Sequence, residues 1–483
     1  MIMAIPRSAH RPPAVLAIGA VTLALLAPAA SADIEYGPGA PGLGDPYFPD
    51  LGNGGYDVRD YNLKTAYDPG TDHLTGTTTI TATATQNLSR FNLDFYKMNV
   101  RSVRVNGRKA SFDRTGEREL EITPRRGLRE SRPFTVVVQY DGVPETLSGP
   151  IVFDLPYGFL HTNDGATVVS EPNAASTWFP SNDNPRDKAY FTIETTVPRG
   201  LKAISNGHLV KRWTAHGKDT FRWREDRPMT TYLATVSIGR FNVSTTTTPK
   251  GVTQLDAVDS AVASDPDSLS TPAWTTRATD ELADYFGPYP FTSTGSIIEN
   301  NSIPPLNIEN ALETQTRPTY QKHPIEKGVV HEMSHAWFGD SVSPARWKDV
   351  WLNEGHALWT EKYWAEKHGG PSAEAAFEQI YADPPPMPPG RPAFWDVATA
   401  DPGRDQMFHR SIYFRGGMAL QALRHRIGDE PFMRLTRTWL ADHQYGNGTT
   451  EQYEALAEQI SGQDLGEFFR TWLHTTGKPP AWW

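Results

Sequence analysis

The sequence contains no cysteine among its 483 residues. This absence excludes a disulfide framework, and it removes thiolates from the available metal ligands and nucleophiles. Any metal site must therefore use imidazole or carboxylate groups. A chain of this length can bury enough apolar surface to fold without crosslinks, and two or three domains are expected.

Long apolar runs are also missing, except near the N-terminus. Arg7 and Arg11 precede an apolar run over residues 14–27, and Ala-Ser-Ala ends at Ala32. A basic start, a short apolar run and small residues are typical of a secretory signal peptide, here residues 1–32. We expect cleavage near Ala32 and a secreted mature chain without a membrane span, because no other stretch approaches about 20 apolar residues.

The chain also has no excess of positively charged residues. The 46 lysine and arginine residues are outnumbered by 56 aspartate and glutamate residues, so the formal net charge is −10. An acidic surface repels phosphate backbones and anionic headgroups. Nucleic acid and anionic membranes are therefore not expected as the main partners.

Strand patterns dominate the first half of the chain. Residues 33–55 are rich in glycine and proline and predict an irregular lead-in, after which threonine-rich alternating stretches follow one another. Asn106-Gly107 lies between two of these stretches and predicts a tight hairpin turn. Together these patterns predict an all-β N-terminal domain over residues 33–245.

The sequence period changes after residue 245. Residues 271–288 predict a helix that has Thr271 as its cap and Pro272 at its first position, and that stops at Gly287-Pro288. Amphipathic stretches resume after a proline-rich insertion. We therefore predict a helix-rich second domain over residues 246–483, which closes with a short helical end.

The strongest chemical signal is the stretch HEMSH at residues 331–335. His331 and His335 are four residues apart, so on a helix both imidazoles project from one face and can hold one metal ion. Glu332 then lies beside the ion, where a general base takes a proton from the attacking water. Glu354, in the following WLNEG stretch, is the candidate third ligand, which leaves one coordination position open.

A bare match to this pattern carries a false-positive risk. Here the pattern is followed by WLNEG, and apolar residues surround it: Val329, Val330, Met333, Ala336 and Trp337. This setting favours a buried metal-binding helix over a chance arrangement.

Several stretches together resemble the aminopeptidase N and leukotriene hydrolase family of zinc metallopeptidases. The resemblance rests on the three ligands and Glu332, with eighteen residues between His335 and Glu354, and on FGPYPF, HAWFGD and SEPNAASTWFP elsewhere. It implies a multidomain protein, in which a saddle-like all-β N-terminal domain precedes a thermolysin-like α+β catalytic domain with one zinc ion per chain. Longer members carry two further domains, so a more open cleft is expected here.

The resemblance also implies which residues hold the substrate. The family removes single residues from peptide N-termini, and a glutamate before the zinc helix binds the free α-amine. Here the stretch ALE, ending at Glu313, matches that motif in part, and Glu309 in the preceding IEN competes with it. Gln315-Thr316 looks like the secreted bacterial branch of the family and favours Glu313. Glu171, in SEPNAAS, is the expected second carboxylate.

Two further residues draw a role from the resemblance. Tyr413, in IYFRGG, resembles the family tyrosine that stabilises the oxyanion as the carbonyl becomes tetrahedral. His356 stands where the family usually has phenylalanine. We expect it to be either a hydrogen-bonded histidine behind the ligands or a pH-sensitive pocket residue, and not a ligand.

The resulting prediction is a secreted zinc-dependent aminopeptidase that acts on peptides. The altered motif around Glu313 leaves a zinc endopeptidase open as an alternative. A secreted binding protein that kept the fold without activity is a third hypothesis. The sequence carries no signal for an oligomeric state.

Overall fold

The computed structural model of the protein describes residues 35–300, 311–321 and 323–480. The predicted signal peptide at 1–32 and the competing Glu309 lie outside these residues. Within the described ranges, no helix is long and apolar enough to cross a lipid bilayer.

The N-terminal part of the described chain consists of strands joined by short turns. Buried and more exposed residues alternate along the strands Tyr56–Asp68 and His73–Ala84, so one side of each faces the core. The strands are β1 Gly37–Pro38, β2 Tyr56–Asp68, β3 His73–Ala84, β4 Leu88–Asp94, β5 Asn99–Val105, β6 Arg108–Lys109, β7 Ser111–Thr115, β8 Glu119–Thr123, β9 Pro133–Gly142, β10 Thr146–Leu147, β11 Tyr157–His161, β12 Ala166–Val169, β13 Ala189–Pro198, β14 Lys202–Ser205, β15 His208–Ala215, β16 Lys218–Met229, β17 Val236–Gly239 and β18 Phe241–Thr247.

Strands β1 to β17 form three sheets in the described chain. Their strand orders are β15-β16-β13-β2-β3-β9-β5-β6, β10-β11-β12-β17-β14 and β1-β4-β8-β7. Aromatic rings fill part of the core, where the ring of Tyr61 stacks on Phe191 with centroids 4.9 Å apart. The predicted hairpin is confirmed, because Asn106 and Gly107 have φ values of 48° and 75° and join β5 to β6.

The C-terminal part is mostly helical and packs around one mixed sheet of order β18-β19-β20-β22-β21. Its elements are β19 Thr253–Asp259, α1 Pro266–Phe286, β20 Ser293–Glu299, β21 Ala311–Leu312, β22 Thr319–Gln321, α2 Glu326–Ser334, β23 Ser343–Pro344, α3 Trp351–Lys367, α4 Ala373–Ala382, α5 Arg410–Ile427, α6 Asp429–Asp442, β24 Asn447–Gly448, α7 Thr450–Ser461 and α8 Gly466–Phe469. Strand β18 spans the domain division predicted at residue 245, and that division stays a prediction.

Helix α1 begins earlier than the sequence predicted. It starts at Pro266, because the side chain of Asp265 accepts hydrogen bonds from the backbone N–H groups of Asp267 and Ser268. The prediction of Thr271 as the cap was wrong, since this Asp-Pro pair is an equally good start signal that comes first, and Pro272 lies inside the helix. The predicted end before Gly287 is confirmed.

Two glycines bring the helices of the site together. Gly355 on α3 faces Gly416 on α5, and a Cβ atom added to Gly355 would lie 3.0 Å from the backbone carbonyl carbon of Gly416. Because neither residue has a side chain, the two helix backbones are in contact. Glu354 and Tyr413, which lie close to these glycines in sequence, are therefore carried by helices that touch.

We expect Gly355→Ala to lower the free energy of unfolding by about 1–3 kcal/mol, because an added methyl group forces the two backbones apart. The control is Gly328→Ala on α2, where the nearest atom to the added Cβ is Ile325 Cγ1 at 4.0 Å. That variant should be neutral or more stable by about 0.5–1 kcal/mol. Urea unfolding of both variants measures the difference, and equal stabilities would contradict a tight contact at Gly355.

Candidate active site

Helix α2 and the start of helix α3 supply the three predicted metal ligands. His331 lies near the end of α2, His335 directly follows α2 with helical backbone angles, and Glu354 lies in the first turn of α3. The Oε2 atom of Glu354 is 3.3 Å from Nε2 of His331 and 3.6 Å from Nε2 of His335. One ligand atom from each residue thus lies within 4.8 Å of the others, as binding to a shared ion requires.

Each histidine is oriented by a hydrogen bond on its other ring nitrogen. Nδ1 of His335 donates to the carbonyl oxygen of Phe338 at 2.9 Å, and Nδ1 of His331 lies 2.8 Å from Oε1 of Glu361. A proton on Nδ1 leaves Nε2 with a free lone pair for a metal. Burial lowers the pKa of His335 to about 4, which keeps its imidazole in this neutral form.

Glu332 and Glu313 lie beside the ligands. One carboxylate oxygen from each, together with a ring nitrogen of His335, forms a group whose atoms lie within 4.8 Å of one another. Glu313 directly follows β21, and the pairing of β21 with β22 holds the chain at this point. Burial raises the pKa of Glu332 to about 8 and that of Glu313 to about 7. The predicted base and the preferred amine-binding residue therefore share one cleft.

Glu171 reaches the same cleft from the N-terminal part of the chain. Burial, followed by the negative charge of Glu313, raises the pKa of Glu171 well above its usual range. The Oε1 atoms of Glu171 and Glu313 are both buried, and neither has a hydrogen-bond partner among the described residues. A donor from outside the described residues, such as a ligand or a water molecule, would satisfy these oxygens.

Tyr413 lies in the first turn of α5 and faces the ligands. Its ring is roughly parallel to the ring of His331, and the two centroids are 6.3 Å apart. Burial, followed by the charge of Glu354, raises the pKa of the phenol well above its usual range. The hydroxyl group therefore stays protonated and can donate a hydrogen bond.

His356 is a core residue behind the ligands. Its Nδ1 atom lies 2.8 Å from the carbonyl oxygen of Leu352, its Nε2 atom lies 3.3 Å from the hydroxyl of Tyr453, and its ring stacks on Phe338 at 4.3 Å. Burial lowers the pKa of His356 to about 3. Of the two roles expected from the sequence, the structure supports the hydrogen-bonded histidine and contradicts the pH-sensitive residue.

Two polar residues of the site, Glu361 and Lys188, have no role predicted from the sequence. Glu361 follows Glu354 by two helical turns on α3, a spacing that could have indicated it. Lys188 donates to the carbonyl oxygens of Asp340 and Ser341 at 2.8 and 2.9 Å. Lys188 lies 152 and 153 positions before these two residues in the sequence, so no local sequence pattern could have revealed the contacts.

The donor set fits zinc. Two imidazole nitrogens and one carboxylate are a ligand set of catalytic zinc sites. Glu171, Glu313 and Asp340 add further carboxylates whose pKa values are raised first by burial, and for Glu171 and Asp340 next by the charge of Glu313. A bound divalent cation relieves this repulsion. The residues present are therefore suited to hold one such ion.

We expect Glu361→Gln to weaken zinc binding by about 10-fold or more, because the amide loses the charge that supports the His331 imidazole. Competition with a chelator of known zinc affinity measures the change. Glu366→Gln on the same helix is the control, since Glu366 contacts the backbone N–H of Ala373 and the guanidinium of Arg424 instead of a ligand. Equal zinc affinities of the two variants would contradict a supporting role for Glu361.

Solved structures share this architecture along nearly their whole length. The M1 zinc metallopeptidase from Deinococcus radiodurans has a TM-score of 0.80 and 29% sequence identity, and the match covers 91% of this chain and 98% of that chain. A mutant of an M1 zinc metallopeptidase from the same organism, bound to a Tyr-Ser-Ala substrate, has a TM-score of 0.80 and 28% identity over 91% and 99% of the two chains.

Relatives in other organisms are more distant and longer. Aminopeptidase A of Gloydius brevicauda is 26% identical over 338 residues, which cover 65% of this chain and 34% of the relative. Probable aminopeptidase 2 of Sulfurisphaera tokodaii is 23% identical over 422 residues, which cover 80% and 50%. The chain therefore spans a third to a half of the length of these relatives.

Two protein-family models match the sequence of this chain. The Peptidase M1 N-terminal domain matches residues 58–233, and the Peptidase family M1 domain matches residues 289–472. The predicted fold class, a sheet-rich part followed by a helix-rich catalytic part, is confirmed by these matches and by the solved structures. The family resemblance drawn from His331, Glu332, His335 and Glu354 is confirmed as well: the chain belongs to peptidase family M1.

Proposed function

We propose that this chain is a secreted zinc-dependent aminopeptidase, which hydrolyses the first peptide bond of peptide substrates. The observation that carries the proposal is the pair of buried Oε1 atoms of Glu171 and Glu313, which have no hydrogen-bond partner among the described residues. Both carboxyl groups lie close to the predicted metal ligands. The free α-ammonium group of a peptide supplies the charged donors that these oxygens lack. The relatives, which carry the name aminopeptidase, support the same activity.

His331, His335 and Glu354 would hold one zinc ion per chain. When bound, zinc supplies Lewis acidity, which polarises the scissile carbonyl and brings the pKa of water toward about 7. Glu361 and the carbonyl of Phe338 keep the two imidazoles turned toward the ion through their Nδ1 atoms.

Glu332 is the proton carrier of the proposed reaction. Its carboxylate takes the proton from the attacking water and later passes it to the leaving amine. Tyr413 donates a hydrogen bond to the oxyanion that forms when the carbonyl carbon becomes tetrahedral. Both roles agree with the positions of these side chains beside the histidines.

Glu313 and Glu171 hold the α-ammonium group and so select the bond that is cut. With the amine fixed, the first peptide bond is the one that reaches Glu332. An endopeptidase would place an uncharged stretch of peptide against these carboxylates, which leaves their buried oxygens unsatisfied. Glu309 remains the competitor of Glu313 for the amine.

The proposal includes export and the domain division. Residues 1–32 act as the signal peptide, 33–245 as the β domain and 246–483 as the zinc catalytic domain, as in the secreted bacterial branch of the family. The basic and then apolar pattern at the start of the sequence supports export. Peptides are the partners, and the net charge of −10 disfavours nucleic acid.

The central test compares aminoacyl chromogenic amides with their N-acetylated forms. We expect acetylation to lower kcat/KM by about 100-fold or more, because it removes the charge that two carboxylates bind. A chelator should abolish turnover, and Glu332→Gln prepared in the same way controls for contaminating peptidases. Equal cleavage of both forms would favour the endopeptidase. Zinc binding without turnover of any amide would favour the inactive binding protein.

We expect Glu313→Gln to reduce the preference for free over acetylated substrates by about 10-fold or more, because one charged acceptor is lost. The control is Glu299→Gln, since Glu299 is an equally buried carboxylate on β20. If Glu313→Gln keeps the full preference and Glu309→Gln loses it, the amine-binding residue is Glu309.

We expect Tyr413→Phe to lower kcat by about 100- to 1000-fold with little change in KM, because the hydrogen bond to the oxyanion exists in the transition state. Steady-state kinetics on a free aminoacyl amide measure both constants. Tyr453→Phe is the control, since this buried hydroxyl faces His356. A Tyr413→Phe variant that raises KM and keeps kcat would contradict the oxyanion role.

A further inference from the structure

Residues 45–48, in the glycine- and proline-rich lead-in, are anchored far from their place in the sequence. The carboxylate of Asp45 accepts hydrogen bonds through Oδ1 from the backbone N–H groups of Tyr47 and Phe48, at 2.8 and 3.1 Å. Its other oxygen, Oδ2, accepts from the backbone N–H of Trp347 at 2.9 Å. Asp45 is 4% exposed. The Asp45 carboxylate thus stabilises the turn at residues 45–48 and binds the backbone of Trp347, just before α3.

Tyr47 makes a second connection from the same segment. Its hydroxyl donates to Oδ1 of Asp401 at 2.6 Å and accepts from the backbone N–H of Gly403 at 2.9 Å. The neighbouring ring of Phe48 packs edge-on against Trp347, with centroids 6.3 Å apart. The 45–48 segment therefore contacts both the turn before α3 and the loop before α5.

The first of these anchors leads directly to a metal ligand. Trp347 begins a short 3₁₀ turn, in which the N–H of Val350 donates to the carbonyl oxygen of Trp347. The N–H of Glu354 then donates to the carbonyl oxygen of Val350 at 3.1 Å. Consecutive backbone bonds thus join the point held by Asp45 to the residue that binds zinc.

The second anchor leads to the oxyanion tyrosine in the same way. The N–H of Gln406 donates to the carbonyl oxygen of Gly403, and the N–H of His409 donates to that of Gln406. His409 is the residue before α5, and its carbonyl oxygen accepts from Ile412, next to Tyr413. The loop held by Tyr47 therefore continues without a break into the first turn of α5.

We propose that the 45–48 segment is a positioning element of the active site, in which Asp45 sets the start of the helix carrying Glu354 and Tyr47 sets the approach to the helix carrying Tyr413. The contact of Gly355 with Gly416 fixes how closely α3 and α5 approach. The bonds of the 45–48 segment act at the N-terminal ends of the same two helices. A displacement near 1 Å at a catalytic group costs about 100-fold in rate, so such bonds matter for turnover.

The first test separates positioning from general stability. Tyr47→Phe removes the hydroxyl and should lower kcat by about 10-fold, with KM and zinc affinity within about two-fold of the parent chain. The matched control is Tyr67→Phe on β2, since the Tyr67 hydroxyl also donates to an aspartate, Oδ1 of Asp72, at 2.7 Å. That variant should lose similar thermal stability and keep kcat.

The same bond can be removed from its other side. Asp401 is exposed, so Asp401→Ala should fold and should reproduce the fall in kcat caused by Tyr47→Phe. If both variants keep the parental kcat, or if Tyr67→Phe loses as much kcat as they do, the segment is structural and the proposal is overturned.

The second test uses the metal. In Asp45→Asn one oxygen still accepts from Tyr47 and Phe48, while an NH₂ group faces the donor N–H of Trp347, so the bond to Trp347 is selectively lost. We expect zinc affinity, measured by chelator competition, to fall by about 10-fold. Unchanged affinity in Asp45→Asn would overturn the role of Asp45.

These tests rest on the proposed aminopeptidase function but fail separately from it. If the parent chain turns over no aminoacyl amide, the proposed function fails. The zinc affinity of Asp45→Asn relative to the parent chain then still decides whether the segment positions Glu354.

Discussion

Repulsion among carboxylates that are buried in one cleft is the constraint on which the rest of the site depends. Burial followed by the charge of Glu313 raises the pKa values of Glu171 and Asp340 well above their usual range. Glu332 and Glu354 belong to the same space. A divalent ion among the ligands and an ammonium group against Glu171 and Glu313 would both offset this charge. The proposed cofactor and the proposed substrate would thus relieve the same excess of negative charge.

The acidic residues of the cleft come from separate parts of the chain. Glu171 comes from a loop between two strands of the sheet-rich part, Glu313 from the end of an edge strand, and the remaining carboxylates from α2, α3 and the turn between them. No local element could hold so many like charges by itself. They are held in place by the surrounding hydrophobic core, in which large side chains such as Trp178, Trp347 and Trp351 are fully buried.

The features that could be predicted from the sequence are those that depend on residues close together in the chain. The spacing of His331 and His335 follows from the helical repeat, and the hairpin at Asn106-Gly107 follows from turn chemistry. The start of α1 was missed because two cap signals lie six residues apart and the first one formed. The sequence predicts only an irregular lead-in around Asp45 and Tyr47, because glycine- and proline-rich stretches have no periodicity and the partners of these two residues lie far away in the chain. The choice of Glu313 rested on a family resemblance, since spacing alone did not separate it from Glu309.

The bonds of the 45–48 segment join residues that are 302 and 354 positions apart in the chain. Synthesis proceeds from the N-terminus, so Asp45 and Tyr47 are made long before their partners Trp347 and Asp401. Contacts of such long sequence separation form late in folding, because each closes a large loop. The anchors at the starts of α3 and α5 therefore form only after most of the chain has been synthesised, and late in its folding.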